Sequence, residues 1–168
     1  MLSNLMLILK NKYFYILVFI LIMIPIVYEL IPVRVDITQQ NSLPQKFWIT
    51  YSDINKDTEY ILFIPPKSKY IESDAKYLKK ISCKEGDYLT VKQRDYFCNN
   101  KYIGTASEFD GNMNKIEYFE FNGIIQNGKY FVIGSHPLSH DSKYFGFVDK
   151  SQILRKAEPL FKDLTNDN

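Results

Sequence analysis

The hydrophobic pattern changes character once along the chain. Residues 13–28 read YFYILVFILIMIPIVY without a charge, and Leu30 and Ile31 continue the apolar run past the single Glu29. A helix packed on a soluble core shows a polar face, and this run has none. Its length approaches the roughly 17 to 20 residues a helix needs to cross a hydrocarbon core. Pro25 lies inside it, which membrane helices tolerate.

After Arg34 the apolar positions come in short aromatic and β-branched runs: FWITY at 47–51, YILFI at 60–64, YLTV at 88–91, YFC at 96–98, KYFVI at 129–133 and YFGFV at 144–148. Turn compositions separate them, among them Ser52-Asp53-Ile54-Asn55, Pro65-Pro66, Glu85-Gly86-Asp87 and Asn99-Asn100. Short strands at close spacing predict a mostly antiparallel β domain. Residues 75–81, AKYLKKI, fit a strand or a short helix, and the pattern leaves both open.

The expected organisation is a short N-terminus at 1–12, a transmembrane anchor at 13–31 and an extracytoplasmic domain at 32–168. Lys10 and Lys12 precede the apolar run, so the positive-inside rule places the N-terminus in the cytoplasm. A cleaved secretory signal would have a shorter apolar region, roughly 7 to 15 residues, and a small-x-small site after it. ELIPVRVDITQQ follows instead, and an uncleaved anchor is expected. Ile31 and Ser42 are 11 positions apart, a reach of at most ~35–40 Å. Position 42 is therefore expected near the outer membrane face, which suits a substrate that is itself in the membrane.

The formal charge of +2 is too small to suggest nucleic acid as a partner. Tyr and Phe number 13 and 12, which favours strands over helices outside the N-terminal region. Cys83 and Cys98 are the only cysteines. In an oxidising compartment they are most simply a disulfide, whose loop of about 15 residues would add on the order of 3 kcal/mol. A metal site would need His136 and His140 to join them, and no metal-ligand spacing is present. No metal and no cofactor is expected.

The octet Asn41-Ser42-Leu43-Pro44-Gln45-Lys46-Phe47-Trp48 is by its own composition a turn. Three distant stretches change that reading. They are K-K-I-S-C-K-E-G-D at 79–87, G-S-H-P at 134–137 and S-H-D-S-K-Y-F-G at 139–146. With S-L-P at 42–44 after an apolar anchor, their order resembles the type I signal peptidase family, whose catalysis uses a serine/lysine dyad. The likeness covers essentially the whole external domain. Within the family it resembles the conjugative-transfer, TraF-like branch, in which one residue separates serine from proline and an S-H-P-x-S-x-D-S element occurs.

That resemblance implies a signal-peptidase-like β domain, with Ser42 as nucleophile, Lys79 as general base and Ser139 as the hydroxyl that orients the Lys79 amine. Asp141 and Lys143 occupy the positions of a bracing Asp/Arg pair. It further implies a bacterial inner-membrane enzyme with a periplasmic catalytic domain. The substrate would be a precursor protein, first of all the pilin of a conjugative transfer system, which members of that branch also cyclise. A general or accessory signal peptidase and an inactive scaffold of the transfer apparatus are the alternatives.

The chemistry agrees with those positions. A lysine acts as a base only when neutral, so its pKa must fall from about 10.4. Burial among apolar strands lowers it. On a strand Lys79 and Ile81 share a face and Lys80 points the other way, so one lysine can be buried while its neighbour stays in water. Several positions depart from the family pattern. Cys83 stands for a glycine, Glu85 for a proline, and Lys143 for an arginine whose bidentate fork it cannot reproduce. Gln40 replaces a serine that helps bind the oxyanion in housekeeping members. The Ser42 N–H is expected to supply one oxyanion donor, and Gln40 or Asn41 the other. A Ser42–His140–Asp141 triad is the rival scheme, but adjacent side chains on an extended segment point to opposite faces.

Overall fold

Along the fourth strand Leu78 and Lys79 are buried, Lys80 is exposed and Cys83 is buried again. That strand, β4 (Tyr77–Lys84), resolves the ambiguity of the AKYLKKI stretch. The computed structural model describes residues 12–37, 42–55, 57–67, 71 and 75–161. The expected oxyanion residues Gln40 and Asn41 lie outside them.

The chain forms two compact units, residues 1–34 and 35–168. The first holds helix α1 (Lys12–Leu30), with Pro25 inside it. Side chains from Tyr15 through Ile22 are exposed all round it. No helix among the described residues is long and apolar enough to cross a membrane. Nineteen residues at ~1.5 Å each extend about 28 Å, just short of a ~30 Å hydrocarbon core.

Strand β1 (Val33–Ile37) runs across the boundary at 34/35, and the second unit continues with β2 (Phe47–Tyr51), β3 (Tyr60–Phe63), β4, β5 (Tyr88–Lys92), β6 (Asp95–Cys98), β7 (Lys101–Thr105), β8 (Gly123–Ile124), β9 (Lys129–Ile133), β10 (Val148–Asp149) and β11 (Ile153–Pro159). A seven-stranded sheet has the order β1-β2-β11-β3-β4-β9-β10, and a four-stranded sheet the order β7-β6-β5-β8. The pairings from β2 through β10, and those of the smaller sheet, are antiparallel. The mostly antiparallel β domain expected from the sequence is therefore what forms.

Two differences from the sequence reading have clear local causes. YFGFV does not form one strand. The Asp141 carboxylate accepts the Lys143 N–H and starts a single helical turn, α2 (Ser142–Phe145), which Gly146 ends at φ 81°. The strand after it is only β10. β11 was not anticipated, because ILRKAEP carries three charges in seven residues. It nevertheless lies between β2 and β3, burying Ile153 and Ala157 while Arg155 and Lys156 stay half-buried and Glu158 is exposed.

Three apolar clusters hold these layers. Trp48, Leu78, Ala157 and Leu43 form one. Leu43 thus fixes the residue next to Ser42 against the strands. Ile61, Phe63, Val132 and Val148 form the second. The third joins the two sheets through Leu89, Tyr96, Ile125 and Phe131, and contains both cysteines. Cys83 and Cys98 are bonded across 15 positions, tying β4 to β6.

Replacing both cysteines by serine should lower unfolding free energy by about 2–4 kcal/mol, the usual range for closing a loop of this size. Urea denaturation of the oxidised protein and the variant measures it, and equal midpoints would refute the stabilising role.

Candidate active site

Lys79 sits opposite Ile61 of β3 in the antiparallel register. Strand pairing places it on the face where apolar neighbours exclude water, and it is 1% exposed. Its Nζ lies 2.9 Å from Ser139 Oγ, a contact between residues 60 positions apart. The Tyr77 ring lies 5.2 Å below the same nitrogen. Lys80 points the other way, is exposed, and lies over the Tyr60 ring. Burial pushes the Lys79 pKa down to about 8; Asp141 opposes the fall and Lys143 adds to it. At this value a usable fraction of the amine is neutral near physiological pH.

Ser42 lines the same cavity of about 250 Å³ as Lys79, Ser139, Tyr77, His136 and His140. Its backbone is fastened there, because Ser135 N–H donates to the Ser42 carbonyl at 2.7 Å. Gly134 makes that closeness possible. A Cβ at this position would run into the Ser139 side chain and come within 3.0 Å of the Ser42 carbonyl oxygen. In the sequence, Gly134 is marked only by its place directly after the apolar KYFVI run and before Ser-His-Pro.

Asp141 and Lys143 brace the segment that carries Ser139. The Lys143 ammonium is 2.7 Å from Asp141 Oδ2, with side-chain exposures of 4% and 0%. Gly134 N–H donates to the same oxygen at 3.0 Å, and Lys143 N–H donates to Oδ1 at 3.1 Å. A buried pair is tolerable only when its remaining lone pairs are satisfied, and this carboxylate has three donors. The single lysine contact replaces the two an arginine fork would make. The Lys143 backbone N–H takes up the other oxygen.

The structure gives the histidines other work. His140 stacks on Tyr144 at 5.8 Å between ring centres and also faces Phe145. Burial lowers its pKa; Asp141 opposes this and Lys79 reinforces it. Asp141 is committed to Lys143 and Gly134, which fix its orientation. His136 Nδ1 accepts the Leu138 N–H at 3.1 Å and shapes the loop. Cys83, Cys98 and Asp87 come close enough together to hold a metal, but the two sulfurs are joined to each other and are not thiolate donors.

The comparisons with known proteins extend this picture. The family described as "Signal peptidase, peptidase S26" matches residues 8–161. Among solved structures, a signal peptidase I from Enterococcus faecalis V583 is similar over 62% of this chain and 97% of its own, at 20% identity and a TM-score of 0.40. At that score the structural likeness carries no argument beside the family match. No curated relative matches the chain.

The burial of Lys79 has a consequence for stability that can be measured separately from turnover. Its folded pKa of about 8 lies below the unfolded value near 10.4. Stability from this group is therefore present above pH ~10.4 and lost as pH falls through about 8. Lys79→Met removes the penalty and also loses the Ser139 contact. At pH 6.5 it should raise unfolding free energy by roughly 2 kcal/mol, the gap narrowing toward pH 10. Urea titrations at both pH values test this, and a difference that ignores pH would refute the depressed amine.

Proposed function

Because the chain belongs to the signal peptidase family, peptidase S26, and so is a serine-type endopeptidase that processes exported proteins, we propose that Ser42 is its nucleophile and Lys79 its general base. The observation that carries this assignment is the enclosed Lys79 amine, 2.9 Å from Ser139 Oγ, in the cavity Ser42 also lines. A serine hydroxyl needs such a neighbouring base.

In this reading neutral Lys79 takes the Ser42 proton as Oγ attacks the scissile carbonyl carbon. The C–N bond then breaks, and the Lys79 ammonium returns the proton to the departing amine. The ester left on Ser42 is hydrolysed by water, with Lys79 again as base. Ser139 holds the amine in line, and the Asp141–Lys143 pair holds Ser139. The Ser42 N–H is the first oxyanion donor, with Gln40 or Asn41 completing the pair.

The finer substrate reading is the pilin precursor of a conjugative transfer system. It is supported by the Ser-Leu-Pro spacing at 42–44 and by Ser135-His136-Pro137 before Ser139. The membrane reading rests on the uncharged run 13–28 and the exposed apolar surface of α1. The few ångströms that α1 lacks are of the size accommodated by local thinning and by flanking lysines reaching for the interface. On that basis the enzyme is a single-pass protein of the bacterial inner membrane, with its catalytic domain in the periplasm.

Ser42→Ala and Lys79→Ala should each abolish processing of a pilin precursor, while Lys80→Ala retains it within a few-fold. An ordinary secretory precursor assayed beside it separates the conjugative reading from a general signal peptidase. Full processing by Lys79→Ala would overturn the dyad, and DNA transfer unaffected by Ser42→Ala would favour the scaffold.

The rate should also report the base directly. Below pH 8 kcat/KM should fall about tenfold per pH unit, because the free enzyme's Lys79 must be deprotonated. A profile flat from pH 6 to 9 would exclude Lys79 from that role.

A further inference from the structure

A second cavity, of about 150 Å³, adjoins the catalytic one. Leu138 and His140 line both, so the two spaces are separated by a wall one side chain thick. Its other walls are Phe109, Asp110, Gly111, Ile116 and Tyr144. None of Phe109, Ile116 and Tyr144 lines the catalytic cavity, and the proposed dyad chemistry makes no use of the space.

The walls are held in place before any ligand arrives. Arg94 donates to the carbonyls of Ser107 at 2.7 Å and Ile116 at 2.9 Å, so one guanidinium clamps both ends of the segment carrying Phe109 and Ile116. The Tyr144 hydroxyl accepts the Ser107 N–H at 2.8 Å, joining that segment to α2. Phe109 and Lys115 form an antiparallel bridge, and Asp110 ties off the turn by accepting the N–H groups of Asn112 and Asn114. The Asp110 carboxylate, though part of the lining, is thereby satisfied within its own loop, and Phe109, Ile116, Leu138 and Tyr144 make most of the remaining lining apolar. Pre-formed apolar pockets of this kind gain affinity by enclosing a side chain without reordering the protein.

We propose that this cavity is a substrate subsite that takes one large apolar side chain, aliphatic or aromatic, of the polypeptide being cleaved. The assignment rests on the peptidase reading above. The occupant follows from adjacency to the catalytic cavity, since a chain lying over Ser42 and Lys79 passes the shared Leu138–His140 wall. At ~3.3 Å per residue an extended substrate brings a side chain to it within about three residues of the scissile bond. Ile116 and Phe109 are then specificity-determining residues of the reaction, and His140 is the partition that separates this side chain from the reacting groups.

The test uses the full-length protein in detergent with peptide substrates in which each position within four residues of the scissile bond is varied among Gly, Leu and Phe. Wild type should favour Leu or Phe over Gly at one of these positions by at least tenfold in kcat/KM. Ile116→Trp, which fills the space, should erase that preference, cutting kcat/KM for the Leu and Phe peptides about tenfold. Its rate on the Gly peptide should stay within twofold of wild type, which also shows that the variant is folded. Phe109→Ala, which enlarges the space, should shift the preference from Leu toward Phe. A uniform loss on all peptides, or a preference that survives Ile116→Trp, overturns the subsite while leaving the peptidase reading standing. If no peptide is cleaved in a Ser42-dependent way, the peptidase assignment itself fails, and the subsite with it.

Discussion

An ammonium taken out of water loses solvation that a few apolar strands cannot replace, and Lys79 is a lysine placed where that loss is felt. The side chain is buried to 1% exposure against β3 and meets a neutral hydroxyl rather than a carboxylate. Had Asp141 faced the amine as an ion-pair partner, the charged form would have been stabilised and the group useless as a base. Lys143 prevents this by occupying the Asp141 carboxylate at 2.7 Å. The two lysines thus divide the labour: one neutralises the carboxylate, and the other is left to be depressed by burial.

The supporting structure follows from keeping that arrangement rigid. The 134–143 segment leaves β9, reverses through the His136–Leu138 turn and enters α2, with its backbone and side chains tied at Gly134, Ser139 and Asp141. The Ser142 hydroxyl accepts the Val132 N–H at 2.9 Å. The buried Tyr96 hydroxyl lies 2.6 Å from the Phe119 carbonyl and 2.9 Å from that of Lys143, so α2 is also anchored to the smaller sheet. The disulfide holds the far end of β4 to that sheet. Lys79 therefore sits on a strand fixed from both sides, a placement suited to the role of base proposed for it.

Much of the site could be read from the chain alone, and for identifiable reasons. Once 77–84 is a strand, alternation sends Lys79 and Lys80 to opposite faces. The order of the Ser42, Lys79 and Ser139 stretches marked them as one constellation, and two cysteines leave a single pairing within the chain. The readings that failed were those in which a contact outweighed a local preference. YFGFV has strand composition, yet an aspartate cap and a glycine at positive φ turn it into α2 and a two-residue strand. ILRKAEP has a surface composition, yet its two buried apolar positions and its backbone pairing place it inside the larger sheet.

The sequence by itself determined which side chains could do chemistry and which two sulfurs could pair, because each depends on residue type; that 77–84 is a strand, and that Lys79 rather than Lys80 is the buried lysine, was decided by the fold. Only the tertiary structure decided that the Lys79 amine meets Ser139, that Gly134 lets Ser42 and Ser139 close together, and that a second apolar space opens behind His140. Those contacts join positions dozens of residues apart, and they are set by strand order and register. Local periodicity carries no record of either, since the same alternating pattern is compatible with many neighbours.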